Sequence, residues 1–157
     1  MPATPTARQL PAGIYLKNGW KALITLASKP DLELWEITTG APGIAGGTPV
    51  DTTTQHNNVL VTREPSSLID LTPFDTTCAF DPIIYTRALT YVNRKDTITV
   101  RFPDGTTLAM YGWLQNLSSP SLTRGAMPTM TVTWCPANQN PSTGAEEAFT
   151  LTNVAGT

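Results

Sequence analysis

The sequence offers few residues whose types and spacing could support catalysis. A serine or cysteine nucleophile normally needs a neighbouring base, and the single histidine, His56, lies in a Thr- and Asn-rich segment without a catalytic motif. Glu33 and Glu36 are the closest carboxylates on a predicted strand, but their spacing places them on opposite faces. We therefore expect no enzyme activity and an ordinary exposed His56.

The sequence also shows no motif that would bind a metal ion or a cofactor. Cys78 and Cys135 lack the close spacing of a redox or zinc pair, so we expect two free, buried thiols. The glycines of residues 43–48 are not followed by the lysine and hydroxyl of a phosphate-binding loop. A sugar-stacking platform could use the four tryptophans, but three lie in alternating strand patterns, which favours the core or an interface. They are Trp20, Trp35, Trp113 and Trp134.

The composition favours strands joined by sharp turns. Charged residues are only 14% of the chain, and there are 27 threonines, 14 prolines and 11 glycines. A net charge of -2 excludes the basic field that tight nucleic-acid binding needs. Neither an apolar run of about 18 residues nor a targeting signal is present, so we expect no membrane partner.

The order of these signals predicts a β domain with extended ends. Residues 1–12 read as a proline-containing arm, residues 13–140 as the β domain, and residues 141–157 as a final strand or arm. Alternation over Trp20–Ala27 and Leu32–Thr38 predicts a first hairpin. A Gly- and Pro-rich loop follows at residues 40–56, and loops of this length are usually functional or disordered. Short, interrupted strand signals come next, at Val59–Thr62, Ser67–Asp70 and Phe74–Phe80.

One helix and one strong hairpin follow. Asp81 can cap a helix that has Pro82 at its first position, and the apolar spacing extends the helix over residues 82–93. Pro103, Asp104 and Gly105 supply a turn. The strand after the turn, residues 108–117, is apolar on both faces, which indicates that the helix or another subunit covers its second face. The last clear strand, Thr129–Cys135, directs Thr129, Thr131 and Thr133 away from the core.

Several of these pieces, in this order, resemble the tail tube (major tail) proteins of long-tailed bacteriophages. The resemblance lies in the strand and turn of residues 98–106, in Tyr111-Gly112-Trp113-Leu114 just after them, in Phe80-Asp81-Pro82 at the helix start, and in residues 126–133. The early strand at residues 34–37 and the glycines of the long loop are similar to some members. The resemblance covers about residues 32–140.

The resemblance implies a β-sandwich or barrel-like fold with one flanking helix, and rings, generally of six subunits, that stack into a hollow tube. It implies a virion tail location after assembly in the host cytoplasm, with tape measure and tail terminator proteins as further partners and DNA as transient cargo. We expect contacts between subunits at Pro42, Gly43, Ile44, Gly46, Gly47, Val50, Tyr111 and Trp113. The channel-facing candidates are Thr129, Thr131 and Thr133.

Other classes of β protein fit the threonine-rich composition as well. A capsid decoration protein, a tail-completion protein and a carbohydrate-binding module are the alternatives. The long loop, the single helix and the extended ends together favour the tube protein, because a monomeric glycan-binding module does not require them. The chain is too short for the second, surface-exposed domain of some tube proteins, so we expect an undecorated tail.

Overall fold

Alternating apolar and polar residues build one large antiparallel sheet. The computed structural model describes residues 22–153 and is mainly β with one helix in that range, as the sequence predicts. The predicted arm at residues 1–12, Trp20 and the end of the C-terminal segment lie outside the described residues. The strands are β1 (Leu23–Leu26), β2 (Glu36–Thr39), β3 (Ile44–Ala45), β4 (Val50–Asp51), β5 (Arg63–Glu64), β6 (Asp70–Leu71), β7 (Phe74–Ala79), β8 (Lys95–Arg101), β9 (Thr107–Leu117), β10 (Thr129–Pro136) and β11 (Thr150–Thr152); the helix is α1 (Pro82–Leu89).

The large sheet has the strand order β1-β8-β9-β10-β7-β2, and β11 pairs with β9 beyond the end of β10. The hairpin of β8 and β9 lies within this sheet, and its turn is at Pro103-Asp104-Gly105, as the sequence predicts. Gly105 takes a φ of 89°, and the Phe102 amide donates to the Thr106 carbonyl at 2.8 Å. A glycine is required at position 112 of β9, because a Cβ there would lie 2.4 Å from the Cys135 carbonyl oxygen of the neighbouring β10.

One face of this sheet forms the core. Alternate residues are buried from Ile98 to Val100 in β8, from Leu108 to Leu114 in β9 and from Met130 to Pro136 in β10. The largest fully buried side chain is that of Trp134. A β-bulge shifts the register between β9 and β10, so that Val132 pairs with Leu117 while Trp134 pairs with Leu114. The extra residue in β9 keeps Leu117 against the core despite its odd spacing from Leu114.

The helix starts as predicted and ends earlier. The Asp81 carboxylate accepts a hydrogen bond from the Ile83 amide at 2.8 Å, and Ile84 and Ala88 are buried in the core. The predicted end at residue 93 is wrong, because α1 stops at Leu89. Beyond it, Asn93 adopts a φ of 62° and donates its amide to the Leu114 carbonyl at 2.9 Å. The chain therefore leaves the helix to join β9.

The predicted first hairpin is wrong in its pairing. β1 pairs with β8, and β2 pairs with β7 at the opposite edge of the sheet. The intervening segment buries Leu32 and Leu34 in the core, so that it crosses from one edge to the other. A side-chain hydrogen bond joins the two edges, since the Ile24 amide of β1 donates to Glu36 Oε1 of β2 at 3.0 Å.

A buried hydrogen bond between β10 and β7 should contribute measurably to stability. Trp134 Nε1 donates to Thr76 Oγ1 at 3.1 Å, and both residues are almost fully buried. We expect Thr76→Val to lower the free energy of unfolding by about 1–3 kcal/mol, because it keeps the shape and leaves the indole N–H unpaired. Urea unfolding measures the change. Thr77→Val, on the opposite face of the same strand, is the control, and equal stability of the two variants would contradict the assignment.

Candidate assembly interface

The segment between β2 and β7, residues 40–73, forms a long two-armed excursion that we call the protruding hairpin. Its arms pair in two short antiparallel ladders, β3 with β6 and β4 with β5. The predicted loop at residues 40–56 is thus one arm of a larger element. The predicted strand at residues 59–62 is wrong, because β5 begins only at Arg63, and of the predicted strand at 67–70 only Asp70 belongs to a strand, the two-residue β6.

Side-chain hydrogen bonds fix the outer part of the protruding hairpin. The Thr52 amide donates to the Thr62 carbonyl at 3.0 Å, and the two threonine hydroxyls lie 3.2 Å apart. At the turn, Asn57 accepts from the Thr54 amide at 2.9 Å and donates to the Leu60 carbonyl at 3.0 Å. Asparagine and threonine side chains replace ladder bonds in this way where strands are short. The segment therefore has a defined shape rather than that of an unstructured loop.

Large apolar side chains are exposed along both arms of the protruding hairpin. Val59 is 89% exposed and Leu60 is 76% exposed, near the turn. Singly exposed apolar residues are ordinary, but several on one element indicate an interaction surface. The exposed group consists of Ile44, Val50, Val59, Leu60, Val61, Leu68 and Ile69. Most of it lies after residue 56, outside the contact residues predicted from the sequence, although Val59-Leu60-Val61 is an apolar run that could have indicated it.

The predicted contact residues of the first arm separate into two sets. Ile44 and Val50 are more than half exposed, and Gly43, Gly46 and Gly47 are exposed as well. Pro42 is buried within its own chain, so it is removed from the candidate contacts. Its burial follows from the tight base of the hairpin, where the Gly40 amide donates to the Asp75 carbonyl at 3.1 Å and a Cβ on Gly40 would lie 2.4 Å from that oxygen.

Tyr111 and Trp113 lie on the face of β9 opposite the core and are half-buried in the isolated chain. The sequence predicts that either the helix or another subunit covers this face. In the structure the chain's own C-terminal segment contributes, since the Ala137 amide donates to the Tyr111 carbonyl at 2.8 Å. Gln139, Pro141 and Ala148 of that segment line a small cavity together with Tyr111. The remaining exposed part of these two side chains is available to a neighbour.

The three channel candidates share one polar face, which we call the threonine face. Thr129, Thr131 and Thr133 of β10 are half-buried and pair with Ala79, Thr77 and Asp75 of β7. Thr133 Oγ1 donates to the Asp75 carboxylate at 2.6 Å. This half of the sheet therefore presents hydroxyls and one carboxylate. The positive charges on the same face, Lys95 and Arg101, belong to β8.

A cleft of about 900 Å³ lies between the edge strands β1 and β2. Its lining is mostly apolar and includes Ile24, Leu32, Leu34 and the 59% exposed Trp35. Glu36 is the half-buried carboxylate of this cleft. Burial raises the pKa of Glu36 above its usual value, and the neighbouring Glu33 acts in the same direction, while the hydrogen bond from the Ile24 amide opposes them.

The residues that could have done chemistry do not converge. His56 lies exposed at the turn of the protruding hairpin. Cys78 and Cys135 are free, but only Cys78 is buried as expected, because Cys135 is half-buried on the face of β10 opposite the core. Burial raises the pKa of Cys78 to about 12, which makes it a poor nucleophile. Trp134 is in the core, so with Trp35 on the cleft and Trp113 on β9 the described tryptophans form no common platform.

Neither a metal centre nor a membrane-spanning helix is found between residues 22 and 153. That range holds no group of three or more His, Cys, Asp or Glu residues placed to bind a metal ion. Its helix is too short to cross a bilayer. Comparison of the chain with protein-family models and with curated proteins found no match.

The charge of Glu36 should destabilise the fold at neutral pH. A carboxyl group whose pKa is raised on folding contributes stability while it is protonated and loses it as the pH rises through the folded pKa. We expect Glu36→Gln, which stays neutral and keeps the oxygen that accepts from Ile24, to raise Tm at pH 7 and to have a smaller effect at pH 4. Thermal unfolding at both pH values tests this, with the exposed Glu64→Gln as control. A lower Tm of Glu36→Gln at pH 7 would contradict it.

Proposed function

We propose that this chain is the tail tube subunit of a long-tailed bacteriophage, which assembles with copies of itself into stacked rings around a channel for DNA. The protruding hairpin is the observation that carries the proposal. It holds seven large apolar side chains more than half exposed, and no group of His, Cys, Asp or Glu placed to hold a metal ion accompanies it among residues 22–153. Such a chain is suited to assembly rather than to catalysis.

The energetics of the protruding hairpin favour self-association. Complete burial of a valine or leucine side chain is worth about 1.5–3 kcal/mol, and the isolated subunit leaves this free energy unused at Val59, Leu60 and Leu68. A protrusion that inserts into a different surface of the next copy makes a heterologous contact. Contacts of that type generate closed rings or open helical stacks.

The threonine face supports the second half of the proposal, a wall along which DNA can slide. Around Thr129, Thr131 and Thr133 the face offers hydroxyls and the Asp75 carboxylate. DNA phosphates bind tightly to surfaces rich in Lys and Arg, because their neutralisation releases counterions from the DNA. This half of the sheet presents neutral or negative groups instead of such residues. We infer that β7 and β10 line the channel, with β8 and its Arg101 further from it.

The alternative classes of β protein would form different particles from a tube protein. A capsid decoration or tail-completion protein would form a small closed oligomer or bind only to a larger particle, and a carbohydrate-binding module would remain monomeric and use an exposed aromatic side chain. Trp35 beside Glu33 and Glu36 is the feature that fits the last class. Val59, Leu60 and Val61 near the turn of the protruding hairpin would stay exposed without a partner in a monomeric module, which is why we favour the tube.

Substitution near the turn of the protruding hairpin should abolish assembly without unfolding the subunit. We expect Leu60→Asp to leave Tm nearly unchanged, because Leu60 is exposed in the isolated chain, and to convert large assemblies into monomers, because the charge would be buried in the interface. Sedimentation velocity measures the assembly. Ile83→Asp, an exposed apolar position on α1, is the matched control and should still assemble. If Leu60→Asp assembles like the control, the hairpin is not an assembly contact.

Positive charge on the threonine face should slow the passage of DNA through the channel. We expect lysines at Thr129, Thr131 and Thr133 to leave tails visible by electron microscopy and to slow or block DNA ejection, since up to three charges per subunit would repeat around every ring. Lysines at Ile83, Thr86 and Leu89 on the exposed side of α1 are the control. Normal ejection from intact tails of the first variant would place this face away from the channel.

A further inference from the structure

A groove of about 410 Å³ lies between the base of the protruding hairpin and the C-terminal segment. Its apolar side includes three hairpin residues that are each more than half exposed, Ile44, Leu68 and Ile69. Its polar side carries three carboxylates, those of Asp70, Glu146 and Glu147. Neither a lysine nor an arginine of residues 22–153 lines the groove. The groove is therefore apolar and acidic at once.

Neutral amide groups hold the carboxylates of the groove in place. Asn140 Nδ2 donates to Glu147 Oε2 at 2.5 Å, and Asn138 Nδ2 donates to the Asp70 carboxylate. The single ion pair among residues 22–153 involves none of these carboxylates. Asn138 Oδ1 is buried and accepts no hydrogen bond from the described residues. Acceptors and negative charge are thus in excess in the groove, which favours a cationic partner rich in hydrogen-bond donors.

The chain between β9 and β10, residues 118–128, has the complementary composition, and we call it the β9–β10 turn. Leu122 and Met127 are more than half exposed, and the exposed Arg124 lies between them. Arg124 has no ion pair in the described part of the chain. Gly125 closes the turn with a φ of 81°. The β9–β10 turn is therefore a compact apolar protrusion with one positive charge.

The groove and the β9–β10 turn lie at opposite ends of β10. The turn comes just before Thr129, and Asn138 of the groove follows just after Pro136. The eight residues of the strand separate them by about 25 Å. The two surfaces therefore cannot meet within one subunit, but they can meet between two copies arranged head to tail.

We propose that the β9–β10 turn of one copy docks in the groove of the next copy. Arg124 then faces the carboxylates, and its planar guanidinium can donate two parallel hydrogen bonds to one of them. Leu122 and Met127 cover the apolar side. The contact is heterologous, so it propagates into rings or stacks. This inference rests on the proposed self-assembly, and it identifies the surface of the next copy that meets the base of the protruding hairpin.

Reversal of one charge should weaken assembly, and reversal of both charges should restore it. We expect Arg124→Glu and Glu146→Lys each to raise the protein concentration needed for assembly by about tenfold or more, because each places like charges together in the interface. The double variant should assemble nearly as the wild type does. Sedimentation velocity measures all three. Arg87→Glu, an exposed position on α1, is the matched control and should assemble normally.

A disulfide between two different chains tests the contact directly. Leu122→Cys and Leu68→Cys are purified as separate variants, both in a Cys135→Ala background, and are mixed with oxidised glutathione. We expect a bond between position 122 of one chain and position 68 of the other, located by peptide mapping with mass spectrometry. In the control mixture Ile83→Cys on α1 replaces Leu68→Cys, and no bond to position 122 should form.

The outcomes separate this inference from the proposed tube. If the wild type assembles but the two charge reversals have no effect, or an effect that the double variant does not reverse, the docking is overturned and the tube proposal stands. A lower Tm of the isolated subunit in both single variants would show that the same chain fills the groove, which also overturns the docking. A wild type that never assembles overturns both proposals. If the charge variants fail to fold, the disulfide decides: a bond between positions 122 and 68 supports the docking, and no bond, or equal bonding in the control, overturns it.

Discussion

The alternation of side chains along β8, β9 and β10, interrupted by one bulge in β9, is the constraint on which the rest of this structure depends. It places Ile98, Leu114 and Trp134 on one buried face and leaves threonines on the other. A one-residue slip would exchange the two faces completely, and the bulge after Leu114 prevents that exchange at the end of β9. Because the core is complete on one face, the opposite face is free to be a polar wall.

The same arrangement leaves three surfaces that the isolated chain does not use fully. The protruding hairpin continues the β2–β7 pairing away from the core and exposes apolar side chains such as Val59 and Leu68. The cleft between β1 and β2 holds a half-buried carboxylate, Glu36, in apolar surroundings. The threonine face presents hydroxyls beside Asp75. A protrusion, an apolar cleft and a polar face are the features that agree with the ring subunit proposed above.

Local signals in the sequence were sufficient for the elements that depend on neighbouring residues. The turn at Gly105 and the start of α1 at Asp81 each involve side chains within a few positions of the backbone they fix. Pairing between distant strands is different, because nothing within β1 distinguishes β8 from β2 as its partner. The exposed second arm of the protruding hairpin, including Leu60, lacks alternation, so its sequence predicts only weak strands. Pro42 looked like a loop residue, yet the tight base beside Gly40 buries it.

Electron microscopy of the purified wild-type protein, at rising protein concentration, tests the central claim most directly. The account predicts rings or hollow tubes of uniform diameter, with the threonine face toward the central channel and the protruding hairpin between subunits. Particles that remain single subunits at every concentration, or closed oligomers without a channel, would contradict it.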